Sequence, residues 1–210
     1  LRKIGGDIGK YRWLNTYLNV NYGLNSKYLL SVNHAADGSS RFGTQADDAL
    51  TISGNKFAFL PSVAAGWLIS SENFMASAKN VDLIKLRASY SLSGNDDIGN
   101  YSARQYYISQ NLLGTQGIIR GNIANPTLKW ETIKTTNLGL DLAFFNERLN
   151  LSFDAYRRNT SDMLTALPME TAVGFDYMIA NSGSMKTSGF ELALNSRILN
   201  RAIKLDFGVN

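Results

Sequence analysis

The chain has 210 residues, 21 Lys plus Arg against 17 Asp plus Glu for a formal net charge of +4, and no cysteine, which excludes disulfides, thiolate metal sites and a thiol nucleophile. An apolar share of 44% with 18% charged residues, 18 Gly and 3 Pro excludes disordered, collagenous and coiled-coil chains. No run approaches the length of a transmembrane helix, and Leu1 to Lys10 lacks the apolar core of a signal peptide.

The apolar residues alternate instead. Between Tyr11 and Tyr22 the positions Leu14, Leu18, Val20 and Tyr22 oppose Asn15, Asn19 and Asn21, a period of two that predicts a strand. Less regular runs follow at Tyr28 to Ala36 and Phe57 to Ile69, where Pro61 removes a ladder donor and predicts a bulge. A short stretch from Glu72 to Lys79 is the helical candidate. From Leu83 to Ser93, Ile84, Leu86, Ala88, Tyr90 and Leu92 alternate with Lys85, Arg87, Ser89 and Ser91. Leu138, Leu140, Leu142 and Phe144 oppose Asn137, Gly139 and Asp141, and Leu149, Leu151 and Phe153 oppose Asn150, Ser152 and Asp154, a hairpin turning at Asn146-Glu147. Phe190 to Leu194 and Ile203 to Val209 form the last pair around a turn at Ile198 to Arg201, so about eight strands are predicted.

The connections alternate short and long. Gly23 to Lys27, Phe145 to Arg148 and Ile198 to Arg201 are short, and Ser70 to Val81 is of medium length. Asp37 to Asn55, Gly94 to Thr127 and Thr160 to Thr187 are long. Tight turns at one end and long loops at the other define an all-β, antiparallel, up-and-down transmembrane barrel segment in which lipid meets every second side chain. A soluble β-sandwich shares the period, and a complete eight-stranded barrel is the other alternative, but long connections are uncommon in compact sandwiches and the last strand is unfinished. Tyr11, Trp13, Tyr22, Tyr28, Trp67, Trp130, Phe144 and Phe145 fall near strand ends, where rings lie at headgroup depth. On this reading Leu86, Leu140, Leu151 and Leu192 face lipid, and Arg87, Asp141, Ser152 and Glu191 face a wet lumen.

Asp37-Gly38-Ser39-Ser40-Arg41-Phe42-Gly43, Leu60 to Trp67 (LPSVAAGW), Leu83 to Tyr101, Asn125 to Leu164 and Gly189 to Leu194 (GFELAL), in this order, closely resemble the SusC/RagA family of TonB-dependent outer-membrane transporters of Bacteroidetes-type bacteria. The resemblance implies a plugged barrel of about 22 strands, energised through TonB and paired with a SusD-like surface lipoprotein, that imports oligosaccharides or peptides across the bacterial outer membrane. Residues 1–210 would then be part of the barrel domain, with the plug, the first strands and the closing strand outside this chain. The competing expectation is a surface-binding or adhesion β-module without transport.

Catalytic chemistry has little to build on. His34 is the only histidine, no G-x-S-x-G elbow is present, and the expectation is no enzyme, no cofactor and no catalytic residue. Asp47-Asp48 and Asp96-Asp97 are adjacent carboxylates without EF-hand spacing, so no metal site is expected. Basic residues are dispersed, and a pI of about 9.2 does not indicate nucleic acid. The candidate ligand-binding residues are Asn95, Asp96, Asn100, Tyr101, Arg104, Tyr106 and Tyr107 in the long loop, rings and polar groups suited to a sugar or peptide. Asp37 and Arg41 are expected to fix loops.

Overall fold

A computed structural model describes residues 9–47, 50–52, 54–200 and 204–210. Its strands are β1 (Trp13–Leu24), β2 (Tyr28–Ser39), β3 (Leu50–Ile52), β4 (Asn55–Leu68), β5 (Val81–Asn95), β6 (Tyr107–Leu112), β7 (Thr115–Arg120), β8 (Glu131–Phe144), β9 (Leu149–Pro168), β10 (Tyr177–Asn200) and β11 (Lys204–Val209). One nine-stranded antiparallel sheet runs β1-β2-β4-β5-β8-β9-β10-β11, with β3 added beside the outer part of β4. The expected strands form this meander, each next to its neighbour in sequence apart from the inserted β3, β6 and β7.

Register puts the alternation on two faces. Leu138, Ala155 and Phe190 lie side by side, as do Leu140, Phe153 and Leu192, then Leu142, Leu151 and Leu194. On the neighbouring strands Val20, Val32, Val63 and Tyr90 line up in the same way. Many of these side chains are open to the surroundings, Leu138 at 55% and Phe190 at 77%. So wide an exposed apolar surface is stable only against lipid or a partner. On β8, β9 and β10 the band stops at one register: beyond Leu138, Ala155 and Phe190 come Thr136, Arg157 and Ser188, then Lys134, Asn159 and Lys186, whereas β5 carries the apolar face on through Tyr90 and Leu92. With its flanking residues the band approaches the ~9–11 residues a tilted strand needs to cross a bilayer.

The opposite face is polar and cross-linked. Asn15 bonds Asp37, Asn19 bonds Asn33 and Ser31 bonds Asn21 between β1 and β2. Arg87 of β5 reaches over Gly139 of β8, donating to Asp141 at 2.7 and 2.9 Å and to Asp154 of β9 at 3.0 and 3.1 Å. The absent side chain at Gly139 makes that crossing possible, because a Cβ there would lie 2.6 Å from the guanidinium. Ser152 adds a bond to Asp141, and Asn137 one to Asp154.

The short-turn end explains itself residue by residue. Asn25 and Ser26 both adopt positive φ, 51° and 54°, as the central pair of a tight hairpin turn, and Lys27 N closes it onto Leu24 O. Glu72 in the β4–β5 connection gathers this turn to the end of β4. Its carboxylate meets Lys27 Nζ at 2.9 Å and accepts from Tyr28 Oη at 2.7 Å and Trp67 Nε1 at 3.0 Å. These three donors hold the Glu72 carboxyl down at about 2, against an ordinary 4.5. A depressed acid stabilises the fold above its unfolded value and loses that contribution as pH falls through its folded one. The clasp is therefore expected to be intact above pH 4.5 and to open as pH approaches 2. The Trp67 indole N–H resonance should shift across that window in the native protein and stay still in Glu72→Gln.

Several expectations are corrected. The stretch Glu72 to Lys79 forms no α-helix; it holds a 3-10 turn at Asn73–Met75, with Met75 N, Ala76 N and Ala78 N each bonded to the carbonyl three residues back in place of an i to i−4 ladder. Residues expected as the loop Thr160 to Thr187 are mostly strand, since β9 and β10 continue outward to Pro168 and Tyr177. The loops Asp37 to Asn55 and Gly94 to Thr127 contain β3 and the separate β6–β7 hairpin. Pro61 makes no bulge against β2: His34 and Pro61 pair in unbroken register, and pairing with β5 ends at Ser62 beside it. Trp130 is 6% exposed in the interior instead of at an interface, and Trp13 stands on the polar face. Tyr22, Tyr28, Trp67 and Phe144 do cluster on the apolar face at the short-turn end. β10 extends to Asn200, so the turn expected at Ile198 to Arg201 begins later; Arg201, Ile203 and Asp48 and the stretch Leu1 to Ile8 lie outside the described residues.

Candidate functional site

At the long-connection end the loops are tied down by a small core. Phe42, Ala58, Ala103, Leu128 and Trp130 are buried together, with Leu60, Ile98, Leu164 and Ile179 packed around them and the Phe42 and Trp130 rings 4.1 Å apart. Arg41 organises the loop that follows β5. Its Nε donates to Asn100 Oδ1 at 3.1 Å, its Nη1 donates to Asp96 O at 3.1 Å and lies 3.7 Å from the Asp96 carboxylate, and its guanidinium sits 4.4 Å over the Tyr11 ring. Asp37 is bonded to Asn15. Arg41 fixes a loop, as expected, whereas the bond of Asp37 joins β1 to β2.

Further amides set the approach of the loops. Buried Glu131 accepts from Asn95 Nδ2 at 2.9 Å and from Leu164 N at 2.8 Å. Asn125 donates to Ile179 O, and Asn181 donates to Lys129 O and Asp162 O while accepting from Lys129 N. Asn122 accepts from Tyr106 N and donates to Arg104 O, closing the base of the β6–β7 hairpin. Buried polar groups must be satisfied, and here the partners lie on different loops, so the bonds fix their mutual position. Asn125 and Glu131 fall within the stretch Asn125 to Leu164 that carries the family resemblance, while Asn122 and Asn181 carry no sequence signal beyond their polar type.

Between these loops lies an open cavity of about 720 Å³. Ile98, Leu164 and Ile179 line it with apolar surface, Tyr106, Phe175 and Tyr177 contribute rings, and Asp97, Asp176 and Arg120 contribute charge. Tyr106 packs over Gly121, where a Cβ would come within 2.2 Å of its ring. An apolar lining with a few charged and aromatic groups is the usual make-up of a small-molecule or short-polymer site. It offers no nucleophile-base pair, and among the described residues no group of His, Asp and Glu converges to hold a metal ion.

The candidate ligand residues distribute unevenly. Tyr106 lines this cavity. Tyr101 and Arg104 line a second one of about 630 Å³ near the start of β1, where Lys10 N donates to Tyr101 Oη at 2.9 Å. Asn95, Asp96 and Asn100 hold other loop groups, and Tyr107 is 62% exposed on β6 opposite Arg120. Phe175, Asp176 and Tyr177 come from the β9–β10 tip, distant in sequence from the loop Gly94 to Thr127. His34 sits on the apolar face with its ring 4.3 Å from Phe59.

A sheet with one exposed apolar face, one cross-linked polar face and long, mutually braced loops at one end is the wall of a membrane β-barrel. Comparison with known proteins gives that wall a family. The family model described as TonB dependent receptor-like, beta-barrel matches residues 5–210, and the chain belongs to this family. It is 38% identical over 182 residues to TonB-dependent receptor P3 of Formosa agariphila, covering 85% of this chain and 17% of that protein. To TonB-dependent receptor SusC of Bacteroides thetaiotaomicron it is 31% identical, covering 85% of this chain and 18% of that one. Among solved structures it superposes on the RagAB peptide transporter with a TM-score of 0.79 at 32% identity, covering 90% of this chain and 20% of the other. The chain thus spans about a fifth of the length of the relatives it matches. The expected SusC/RagA resemblance and barrel architecture are borne out.

Proposed function

We propose that the protein to which this barrel segment belongs imports a solute across the bacterial outer membrane, energised through TonB, and makes or breaks no covalent bond. The observation that carries the reading is the apolar band that ends at one register across β8, β9 and β10. A band of that kind serves a barrel in lipid, and membership of the TonB-dependent receptor family supports coupling to TonB. The remaining barrel, the plug and the TonB-contacting segment belong to the rest of the protein. A SusD-like surface lipoprotein is the proposed partner at the long-loop end. The proposed solute is an oligosaccharide or a peptide; similarity to a peptide transporter favours including peptides.

Within this reading the cavity between Tyr106 and Tyr177 contacts the solute during entry. Replacing both tyrosines by Ala in the full-length protein is expected to remove about 1 kcal/mol of aromatic contact, roughly fivefold in affinity. Uptake of labelled solute at sub-saturating concentration should fall accordingly while the barrel still assembles, checked by its heat-dependent mobility shift on a gel. Unchanged uptake would remove the cavity from the entry path.

A further inference from the structure

The apolar band has different flanks at its two ends. At the short-turn end the rings of Tyr22, Tyr28, Trp67 and Phe144 edge it, and the nearby cation Lys27 is paired with Glu72. At the long-connection end, cations stand on the same face as the band on three adjacent strands. Lys134 of β8, Asn159 of β9 and Lys186 of β10 form one row, and Arg157 of β9 lies between that row and the last apolar one, Leu138, Ala155 and Phe190. Lys134, Arg157 and Lys186 are all exposed, and among the described residues none of them forms an ion pair or a side-chain hydrogen bond. Their neighbours on this face include Thr132, Thr136, Ser161 and Ser188 but no carboxylate, since Asp141, Asp154 and Glu191 fall on the opposite face.

Strand geometry sets the depth and spacing of these cations. Arg157 lies ~7 Å along its strand beyond Ala155, and Lys134 and Lys186 lie ~14 Å beyond Leu138 and Phe190. On strands tilted by ~45° these become depths of ~5 and ~10 Å past the band, the layer that lipid headgroups occupy. Arg157 is a diagonal neighbour of both lysines at ~7–8 Å, and the lysines stand ~10 Å apart with Asn159 between them, so their long side chains can converge on one anion or a close pair. Unpaired cations held this near repel one another, and an anion relieves the repulsion with charge-assisted hydrogen bonds. All three strands are interior to the sheet, between β5 and β11, so strands added at its edges leave this outward face unchanged. We propose that Lys134, Arg157 and Lys186 bind the phosphate groups of an anionic lipid in the leaflet on the long-loop side, its acyl chains lying on Leu138, Ala155 and the exposed Phe190. Continuity with the apolar band selects a lipid over a soluble anion, because one molecule then covers both surfaces. The site rests on the barrel fold and not on transport, so uptake need not be measured.

The test uses the full-length protein purified in a nonionic detergent, with bound lipid counted by native mass spectrometry. The probes are bisphosphoryl lipid A, the same lipid stripped of both phosphates, and inorganic phosphate as a soluble competitor. Bisphosphoryl lipid A should be retained and the stripped lipid lost, although their acyl chains are the same, and an excess of inorganic phosphate should not displace the bound lipid. Lys134→Gln with Lys186→Gln should weaken retention roughly fivefold for each cation lost. Lys134→Arg with Lys186→Arg, which keeps the charge, should hold the lipid as the native protein does. Lys79→Gln with Lys204→Gln removes the same charge from two exposed cations at the short-turn end and should leave retention intact. Folding of every variant is read from its heat-dependent gel mobility. Equal retention of the two lipids, equal losses in the two Gln pairs, or displacement by inorganic phosphate, seen in a protein that still runs as a folded barrel, would overturn the proposal and leave the barrel standing. A native protein that neither enters vesicles nor shows the mobility shift would overturn the barrel itself and the lipid site with it.

Discussion

Gly43→Ala is expected to dislodge the loop assembly at the outer end of the sheet and to lower barrel stability by about 3 kcal/mol or more, at or beyond the upper end of ordinary overpacking. A Cβ at this position would stand 1.8 Å from Pro126 O and 2.3 Å from its carbonyl carbon, so the obstacle is backbone and no side-chain rotation relieves it. The backbone it strikes is itself fastened: Gly43 N donates to Leu128 O at 2.9 Å and Gln45 N donates to Pro126 O at 3.0 Å. Separating the two segments breaks both bonds and lifts Phe42 and Leu128, which is fully buried, out of the small core. Gly23→Ala is the matching control, because its new methyl would meet nothing nearer than 3.7 Å. The midpoint of heat-dependent gel mobility and the rate of proteolysis within 94–127 should change strongly for Gly43→Ala and little for Gly23→Ala. Equal behaviour of the two would show that the contact between residues 43 and 126 carries no weight.

The same contact illustrates what a sequence conceals. The main sheet was legible because lipid on one face and water on the other impose a period of two on every crossing strand; Leu149 to Phe153 follow it throughout, and Leu138 to Phe144 depart from it only at Ala143. Outside that band nothing enforces the pattern. In the β6–β7 hairpin Ile118 is 77% exposed and Leu112 72%, both faces are open, and no alternation marks Tyr107–Leu112 as a strand. Its turn did leave a trace in Leu113-Gly114, with φ of 51° and 86°, which a residue count alone absorbs into a long loop. The outward continuation of β9 and β10 is hidden for the same reason, since polar Arg157, Asn159 and Ser161 interrupt the apolar stripe where the band ends.

The candidate site was legible in type more than in place. Asn95, Asp96 and Asn100 have the chemistry of ligand-binding groups, yet in the structure they bond Glu131 and Arg41. A loop-fixing amide and a ligand-binding amide look identical until a partner is seen within bonding distance. Asp176 and Tyr177 reach Tyr106 because β9 and β10 carry their tip over the loop, a juxtaposition set by strand length.

Arg87→Ala carries the other large expected effect, because Arg87 links β5 to both β8 and β9 on the polar face. Its guanidinium makes paired bonds to each of two aspartates at 2.7 to 3.1 Å, and its side chain is 32% exposed, between the regimes of open and buried ion pairs. Removal leaves Asp141 and Asp154 as neighbouring like charges without their bridge, and a loss of about 2 kcal/mol is expected, less than for a fully buried pair. Arg87→Lys should recover less than half of it, since an ammonium is a point donor and cannot engage two carboxylates in parallel. If repulsion between the stranded aspartates is the larger part of the loss, Asp141→Asn with Asp154→Asn should restore most of the stability of Arg87→Ala while destabilising the native protein. That opposite sign is the signature of one coupled network. Thermal midpoints of the four combinations that simply add would mean that three strands are held by their ladders alone and that Gly139 is bare for some reason other than the passage of the arginine.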